Sequence, residues 1–272
     1  MKTWYGIIIL AFVAWPVRIS AQFTGITSPA FDSLKSSTPG FFFGSQYNSK
    51  VNFWGRNLGM EQFSVDPYIM LNYGNGFYFY AVTLLWSEME EIPVETDIGL
   101  GFEHQVTPWF YLSIGYERWF VHSKDVYSRK SLENYFEGVL NYNFKLFQLE
   151  SGSYFIFGID RLFVQDFTIA KNIFLSRFMR NGRIEINPGV SVSLSNDSLR
   201  SIFGDPVDAT TEDFDQRLRI ADYEIGIPAT LSIGNLELQL IAFYNIPANL
   251  TNESLNPYSW FSAYLCYFFP LK

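Results

Sequence analysis

Apolar and polar residues alternate one by one along most of the chain from about residue 41 onward. The clearest example is the segment from Val94 to His104. Side chains alternate between the two faces of a β-strand, so this segment has one apolar and one polar face. The apolar face carries Ile98, Leu100 and Phe102, and the polar face carries Glu95, Asp97 and Glu103. A helix would scatter these carboxylates over every side, so the pattern predicts a strand.

The same alternation recurs in later segments and is typical of a membrane barrel, whose strands set one face against lipid and the other toward a lumen. We expect a lipid-facing set of Ile98, Leu100, Phe102, Leu112, Ile114, Ile225, Ile227, Leu238, Leu265 and Phe269. We expect an acidic, lumen-lining set of Glu95, Asp97, Glu103, Glu117, Glu137, Asp222, Glu224 and Glu237. The predicted fold is all-β: a transmembrane, antiparallel, up-and-down β-barrel.

About twelve strands fit the pattern, and ten to fourteen would also be compatible with it. They are predicted at 41–54, 63–73, 76–87, 92–105, 108–122, 132–146, 152–164, 167–178, 183–195, 217–233, 235–246 and 258–271. Every second connection is short and turn-like, as at Gly74-Asn75-Gly76, Gln148 to Ser151 and Gly234-Asn235. The others are mostly longer and more polar, as at 195–216. Short periplasmic turns and longer outer loops are the expected asymmetry, with both termini in the periplasm.

The first 21 residues have the features of a signal peptide. Lys2 is followed by an apolar run at 4–17, and Ala21 provides a small residue at the cleavage site. An uncleaved anchor helix is the alternative, but a spanning helix needs about 20 apolar residues. We therefore predict a cleaved signal peptide at 1–21, a flexible segment at 22–40 and one barrel domain at 41–272.

Composition supports export and a membrane environment. Aromatic residues make up 19% of the chain, more than a soluble core has room for, whereas barrels place them in girdles at both interfaces. The formal net charge of −8 argues against nucleic-acid binding. Cys266 is the only cysteine, so no intrachain disulfide can form.

The last strand ends in an alternating series of Phe261, Ala263, Leu265, Tyr267, Phe269 and Leu271. It resembles the C-terminal signal that the barrel-assembly machinery reads, although Lys272 rather than Phe ends the chain. With its Tyr- and Phe-rich strands and acidic inner face, the chain resembles the uncharacterised, porin-like outer-membrane barrels common in Bacteroidota. The resemblance implies an outer-membrane location, contact with lipid and lipopolysaccharide, and the barrel-assembly machinery as partner during insertion. It leaves the oligomeric state open.

Candidate catalytic residues are few. Outer-membrane phospholipase A and the lipid A deacylases use a His and a Ser two residues apart on one strand face, whereas Ser123 directly follows His122 here. His104 ends a strand beside a tight turn. Glu88, Glu90 and Glu91 resemble an omptin-like acidic rim but fit a solvated loop better. We predict no enzyme activity, no cofactor and no metal site.

The acidic inner face leaves two main functions open. A water-filled lumen lined by carboxylates would concentrate cations, which predicts a porin-like channel for small neutral or cationic hydrophilic solutes. A filled lumen would instead pair the carboxylates with Lys, Arg, Tyr and Asn, which predicts a structural or interaction barrel. Twelve strands are compatible with either, because eight-stranded barrels are filled and sixteen-stranded barrels hold a channel. Arg118 is expected on the lipid side near the outer end, where it could pair with lipopolysaccharide phosphates.

Overall fold

The computed structural model describes residues 38–50, 62–87, 95–122, 132–144, 147–158, 161–171, 173–179, 182–196, 217–248 and 255–271. These residues form fourteen strands. The strands are β1 Gly40–Asn48, β2 Ser64–Asn72, β3 Phe77–Trp86, β4 Glu95–Thr107, β5 Phe110–Val121, β6 Leu132–Asn143, β7 Gln148–Gly158, β8 Arg161–Ala170, β9 Ile173–Met179, β10 Gly182–Ile186, β11 Gly189–Ser195, β12 Arg219–Ile233, β13 Leu236–Pro247 and β14 Tyr258–Pro270.

Antiparallel pairing of these strands closes a barrel. From β1 to β8, each strand pairs with the next one along the chain, and β1 also pairs with β14. β12 pairs with β13, and with both β10 and β11. A closed ring leaves no unpaired edge, which is the condition that a β-structure must meet in lipid.

Two strands of the barrel are each interrupted once, so the fourteen segments make up twelve barrel strands. β8 pairs with β11 and β9 pairs with β10. β8 and β9 are therefore two parts of one interrupted barrel strand, and β10 and β11 are two parts of the next. The second break falls at Asn187-Pro188, where proline has no N–H to donate to the ladder. The Lys171 N–H donates to the Pro188 carbonyl, and the Asn187 N–H donates to the Pro228 carbonyl. The predicted twelve-stranded antiparallel barrel is therefore confirmed.

The two faces of the wall differ as the alternation requires. Outward side chains are large and apolar, with Leu100 46% exposed and Phe269 57% exposed. Near the turns at 107–109 and 144–147 the outer face is aromatic, with Trp109 beside Tyr142 and Phe144 beside Phe147. An apolar belt edged by aromatic residues is the outer surface of a membrane barrel. No helix among the described residues is long and apolar enough to cross a membrane.

The short connections lie at one end of the barrel, which the usual asymmetry assigns to the periplasm. Gly74 and Gly76 have φ of 74° and 96°, and Gly234 has φ of 59°. These positive values favour glycine, so the turn residues in the sequence match the geometry. Both β1 and the last strand reach this end, where the Leu271 N–H donates to the Pro39 carbonyl.

The sequence placed two adjacent strands wrongly. The predicted turn Gln148 to Ser151 lies inside β7, and the Phe144 N–H, just after the end of β6, donates to the Phe147 carbonyl just before β7 begins. The predicted strand 152–164 covers the second part of β7 and the first residues of β8, and the predicted strand 167–178 covers the end of β8 and most of β9. Ser151-Gly152-Ser153 has the composition of a turn, yet ladders with β6 and β8 keep it extended. The predicted signal peptide at 1–21, most of the 22–40 segment and most of the outer loops lie outside the described residues.

Candidate functional site: the barrel lumen

The eight acidic residues of the predicted lumen-lining set all lie on the inner face. Glu95 is fully buried and Glu117 is 1% exposed, while Glu103 near the periplasmic end is only half-buried. Ionised groups removed from water need hydrogen-bond donors or cations. The question for this lumen is therefore which groups surround the carboxylates.

One carboxylate, Glu117 on β5, receives two hydrogen bonds from aromatic side chains. Tyr80 Oη on β3 donates to Glu117 Oε2 at 2.5 Å, reaching across β4. Trp119 Nε1, two residues along the same face, donates to Glu117 Oε1. On the next strand, Tyr135 Oη donates to Glu137 Oε2 at 3.3 Å. Tyrosine and tryptophan side chains thus provide the hydrogen-bond donors that buried carboxylates need in a filled lumen.

Two glycines of β4 allow these tyrosines to lie flat on the wall. Gly99 is directly opposite Tyr80 and Gly101 is opposite Tyr78. A Cβ at Gly99 would be 2.2 Å from Tyr80 Cζ, and one at Gly101 would be 2.2 Å from Tyr78 Cζ. The Gly-x-Gly of this strand therefore provides room for two tyrosine rings.

A second polar cluster lies on β12 and β13. Asn245 Nδ2 donates to Asp222 Oδ2 at 2.6 Å and to Glu224 Oε2 at 3.0 Å. Trp260 Nε1 on β14 donates to Asn245 Oδ1 at 2.5 Å. One buried amide thus connects two carboxylates to an indole, and its own carbonyl is satisfied.

Sequence reasoning missed a third cluster at the outer ends of β1 and β2. Asn48 Nδ2 donates to Asp66 Oδ2 at 2.9 Å, and Ser64 Oγ donates to the same oxygen at 3.0 Å. Asp66 is 3% exposed. The alternation of Ser64, Asp66 and Tyr68 with apolar neighbours carried this signal, because it puts all three on one face.

Apolar and aromatic side chains fill the space between the polar clusters. One inner cluster consists of Phe42, Tyr68, Met70, Tyr78, Tyr80, Tyr264, Cys266 and Phe268. Within it the Tyr68 and Tyr264 hydroxyls hydrogen-bond to each other across β1. Trp119 stacks on Tyr135, and Tyr135 on Tyr154, with ring centroids 5.9 and 6.0 Å apart.

Many inner-face residues toward the outer end of the barrel are fully buried. Inner-face residues there are at most 1% exposed: Asn48, Leu84, Trp86, Glu95, Tyr154, Ile156, Leu162, Val164, Ser195, Ala221 and Asn245. Toward the periplasmic end several inner-face residues are half-buried: Glu103, Asn141, Glu150, Arg183 and Ser232. The inner-face residues that the structure describes are therefore largely buried, and several of the half-buried ones lie toward the periplasmic end.

Cations are scarce among the described inner-face residues. Arg183 Nη2 lies 3.3 Å from Glu185 Oε2, and Lys171 is half-buried. Arg118 lies on the outer wall, as expected, and its Nη2 is 2.6 Å from Glu133 Oε2. Its guanidinium is thus already engaged by a carboxylate of its own barrel.

The two histidines lie apart from the lumen clusters. His122 is exposed at the outer rim, with Nε2 3.1 Å from Thr96 Oγ1, and Ser123 is not among the described residues. His104 is exposed near the periplasmic turn and stacks on Phe102. No three described His, Cys, Asp or Glu residues are grouped to hold a metal ion.

The ten residues of the predicted lipid-facing set lie on the outer face, exposed or half-exposed. One outward patch is polar instead, and sequence reasoning missed it. It consists of Ser151 and Ser153 on β7 and Gln165 on β8. The misplacement of β7 hid this patch, because Ser151 was assigned to a turn.

No protein-family model matches the sequence, and no curated protein matches it. Among solved structures, LpxR from Salmonella typhimurium has 11% identity and a TM-score of 0.49, over 84% of this chain and 100% of that one. The KdgM porin has 10% identity and a TM-score of 0.44, over 85% and 99% of the two chains. The NanC porin has 9% and 0.45, over 85% and 100%. These are outer-membrane β-barrels, but at such values they do not indicate what this chain does.

Proposed function

We propose that this chain is an outer-membrane structural or interaction barrel, whose lumen is occluded by its own side chains. The observation that carries the proposal is the burial of the inner face at the outer end, where Glu95 and Trp86 are at most 1% exposed. Side chains that line a water-filled pore remain accessible to water. Here carboxylates take hydrogen bonds from Tyr, Trp and Asn, as in a packed interior.

In this proposal the chain acts through its outer wall and its outer connections, of which 195–216 is the longest in the sequence. It resides in the outer membrane among phospholipid and lipopolysaccharide, after insertion by the barrel-assembly machinery. Catalysis, a cofactor and a metal are not part of the proposal.

A second function is supported by the charge of the inner face. Carboxylates outnumber cations among its described residues, with Glu95, Glu117 and Glu137 on three successive strands. Such a surface would favour small cations or neutral solutes if the outer closure opened. A porin-like channel with an acidic lumen is therefore the alternative.

Planar-bilayer recording of the refolded barrel separates the two functions. We expect no steady conductance from the wild type, because in this proposal buried side chains fill the outer end of the lumen. Trp119→Ala, which removes a buried inward ring, should introduce conductance. Phe120→Ala removes an outward ring one residue away and should leave the bilayer sealed.

The opposite result is equally clear. A cation-selective wild-type conductance that falls on Glu95→Gln and Glu117→Gln would overturn the occluded barrel and establish the channel. Circular dichroism of every variant in detergent checks that the barrel is still folded.

A further inference from the structure

A groove runs over the outer wall of the barrel, on the side opposite the lumen. It has a volume of about 580 Å³ and crosses β6, β7, β8, β11 and β12. Its walls are formed chiefly by Tyr142, Leu149, Phe167, Val190, Val192 and Tyr223. These residues lie on the lipid-facing side, with Leu149 37% and Phe167 45% exposed.

Strand register explains the shape of the groove. Ser151 is opposite Phe167, and Phe167 is opposite Val192, so side chains of different size follow one another across the strands. Adjacent strands are about 4.8 Å apart, so five strands give a groove about 19 Å long. Barrel strands are tilted, so the groove runs obliquely across the membrane.

A polar group stands at the edge of this apolar groove. Gln165 Nε2 donates to Ser151 Oγ at 3.0 Å and to the Gly152 carbonyl at 2.8 Å, while Ser153 Oγ donates to Gln165 Oε1 at 2.6 Å. Ser151 Oγ thus accepts a hydrogen bond, but within the described residues no acceptor takes its own proton. A hydroxyl proton facing lipid without an acceptor is costly.

Depth in the membrane points to the acceptor. Ser151 is three residues from the periplasmic end of β7, about 10 Å along the strand. The aromatic girdle of the periplasmic interface, with Tyr142 and Trp109, lies at the same end. Ester carbonyls of the inner leaflet are the acceptors found near this level, and hydrocarbon chains are what surrounds the groove.

We propose that the groove binds one phospholipid of the inner leaflet. An acyl chain occupies the space between Leu149 and Val192, and its ester carbonyl accepts the hydrogen bond of Ser151. This fits the apolar walls, the length of the groove and the position of the Ser151 hydroxyl. A second copy of this chain would have to insert a carbonyl group into a concave groove. A lipid ester carbonyl can enter the groove together with its acyl chain.

The test is a titration of the refolded protein in octyl glucoside, followed by native mass spectrometry. The probes are dipalmitoyl phosphatidylethanolamine and its ether-linked analogue, which lacks the ester carbonyls. We expect a one-to-one complex, with the ester lipid bound about fivefold more tightly, the worth of a typical net hydrogen bond. Ser151→Ala should remove this preference, and Ser153→Ala should retain it.

Filling the groove gives an independent check. Val192→Trp should weaken the binding of both lipids at least about tenfold. Ala242→Trp adds the same ring to the lipid-facing side of β13, outside the groove, and should bind as the wild type does. Equal binding of the ester and ether lipids by the wild type, or unchanged binding by Val192→Trp, would overturn the proposal. A dimer that Val192→Trp dissociates would assign the groove to a second copy.

Discussion

The contact between Gly99 and Tyr80 makes a sharp prediction about stability. Gly99→Ala adds one methyl group to the inner face of β4. Its Cβ would be 2.2 Å from Tyr80 Cζ and 2.4 Å from Cε1, far inside van der Waals contact. The ring must therefore move, and the hydrogen bond that it donates to Glu117 at 2.5 Å must lengthen or break.

Two terms set the size of the effect. Overpacking a well-packed interior costs about 1–3 kcal/mol. Loss of a hydrogen bond to a carboxylate costs a further amount, about 1.5–3 kcal/mol. Because Trp119 still donates to Glu117, the carboxylate keeps one partner. We expect Gly99→Ala to lower the free energy of unfolding by about 2–5 kcal/mol.

The assay is urea unfolding of the barrel in phospholipid vesicles, followed by the fluorescence of its tryptophans, which include Trp86, Trp109 and Trp119. Gly138→Ala on β6 is the matched control, because nothing lies within 4 Å of a Cβ there. That variant should change stability by no more than about 0.5 kcal/mol. In a Tyr80→Ala background the Gly99→Ala cost should nearly vanish, since the ring that it meets is absent.

The double-mutant cycle decides whether this reasoning holds. If Gly99→Ala costs the same with and without the Tyr80 ring, the glycine is not there to accommodate the tyrosine. A Gly138→Ala cost equal to that of Gly99→Ala would show a general effect of alanine in the wall rather than a local clash.

Three further predictions use the same unfolding assay. Asn245→Ala should cost about 2–4 kcal/mol, because Asp222 and Glu224 lose a shared donor; a loss below 1 kcal/mol would show that water reaches them. Leu100→Arg places a cation on the lipid face in mid-strand and should cost about 2–4 kcal/mol, whereas an unchanged barrel would mean that this face is not in lipid. Arg118→Ala should change stability by less than about 1 kcal/mol, because its ion pair is exposed, and a larger loss would contradict that view.

Local pattern was sufficient wherever a strand alternates cleanly. Ile98 and Leu100 turn outward and Glu95 and Asp97 turn inward because consecutive side chains point to opposite faces, whatever the rest of the chain does. The glycine turns followed from residues that accept positive φ, whereas the twelve barrel strands and the inward location of the carboxylates followed from this rule. It failed around Ser151, where small polar residues have the composition of a turn and only the neighbouring strands hold them extended.

What surrounds each inward group was decided by the tertiary structure. Tyr68 and Tyr264 are 196 residues apart in sequence, and Tyr80 reaches Glu117 from two strands away. Such partners depend on barrel closure, strand register and stagger, which are properties of the whole ring rather than of any segment. For the same reason the alternation by itself left the lumen open or filled, and only the packing of the inner faces against one another buries the inward side chains.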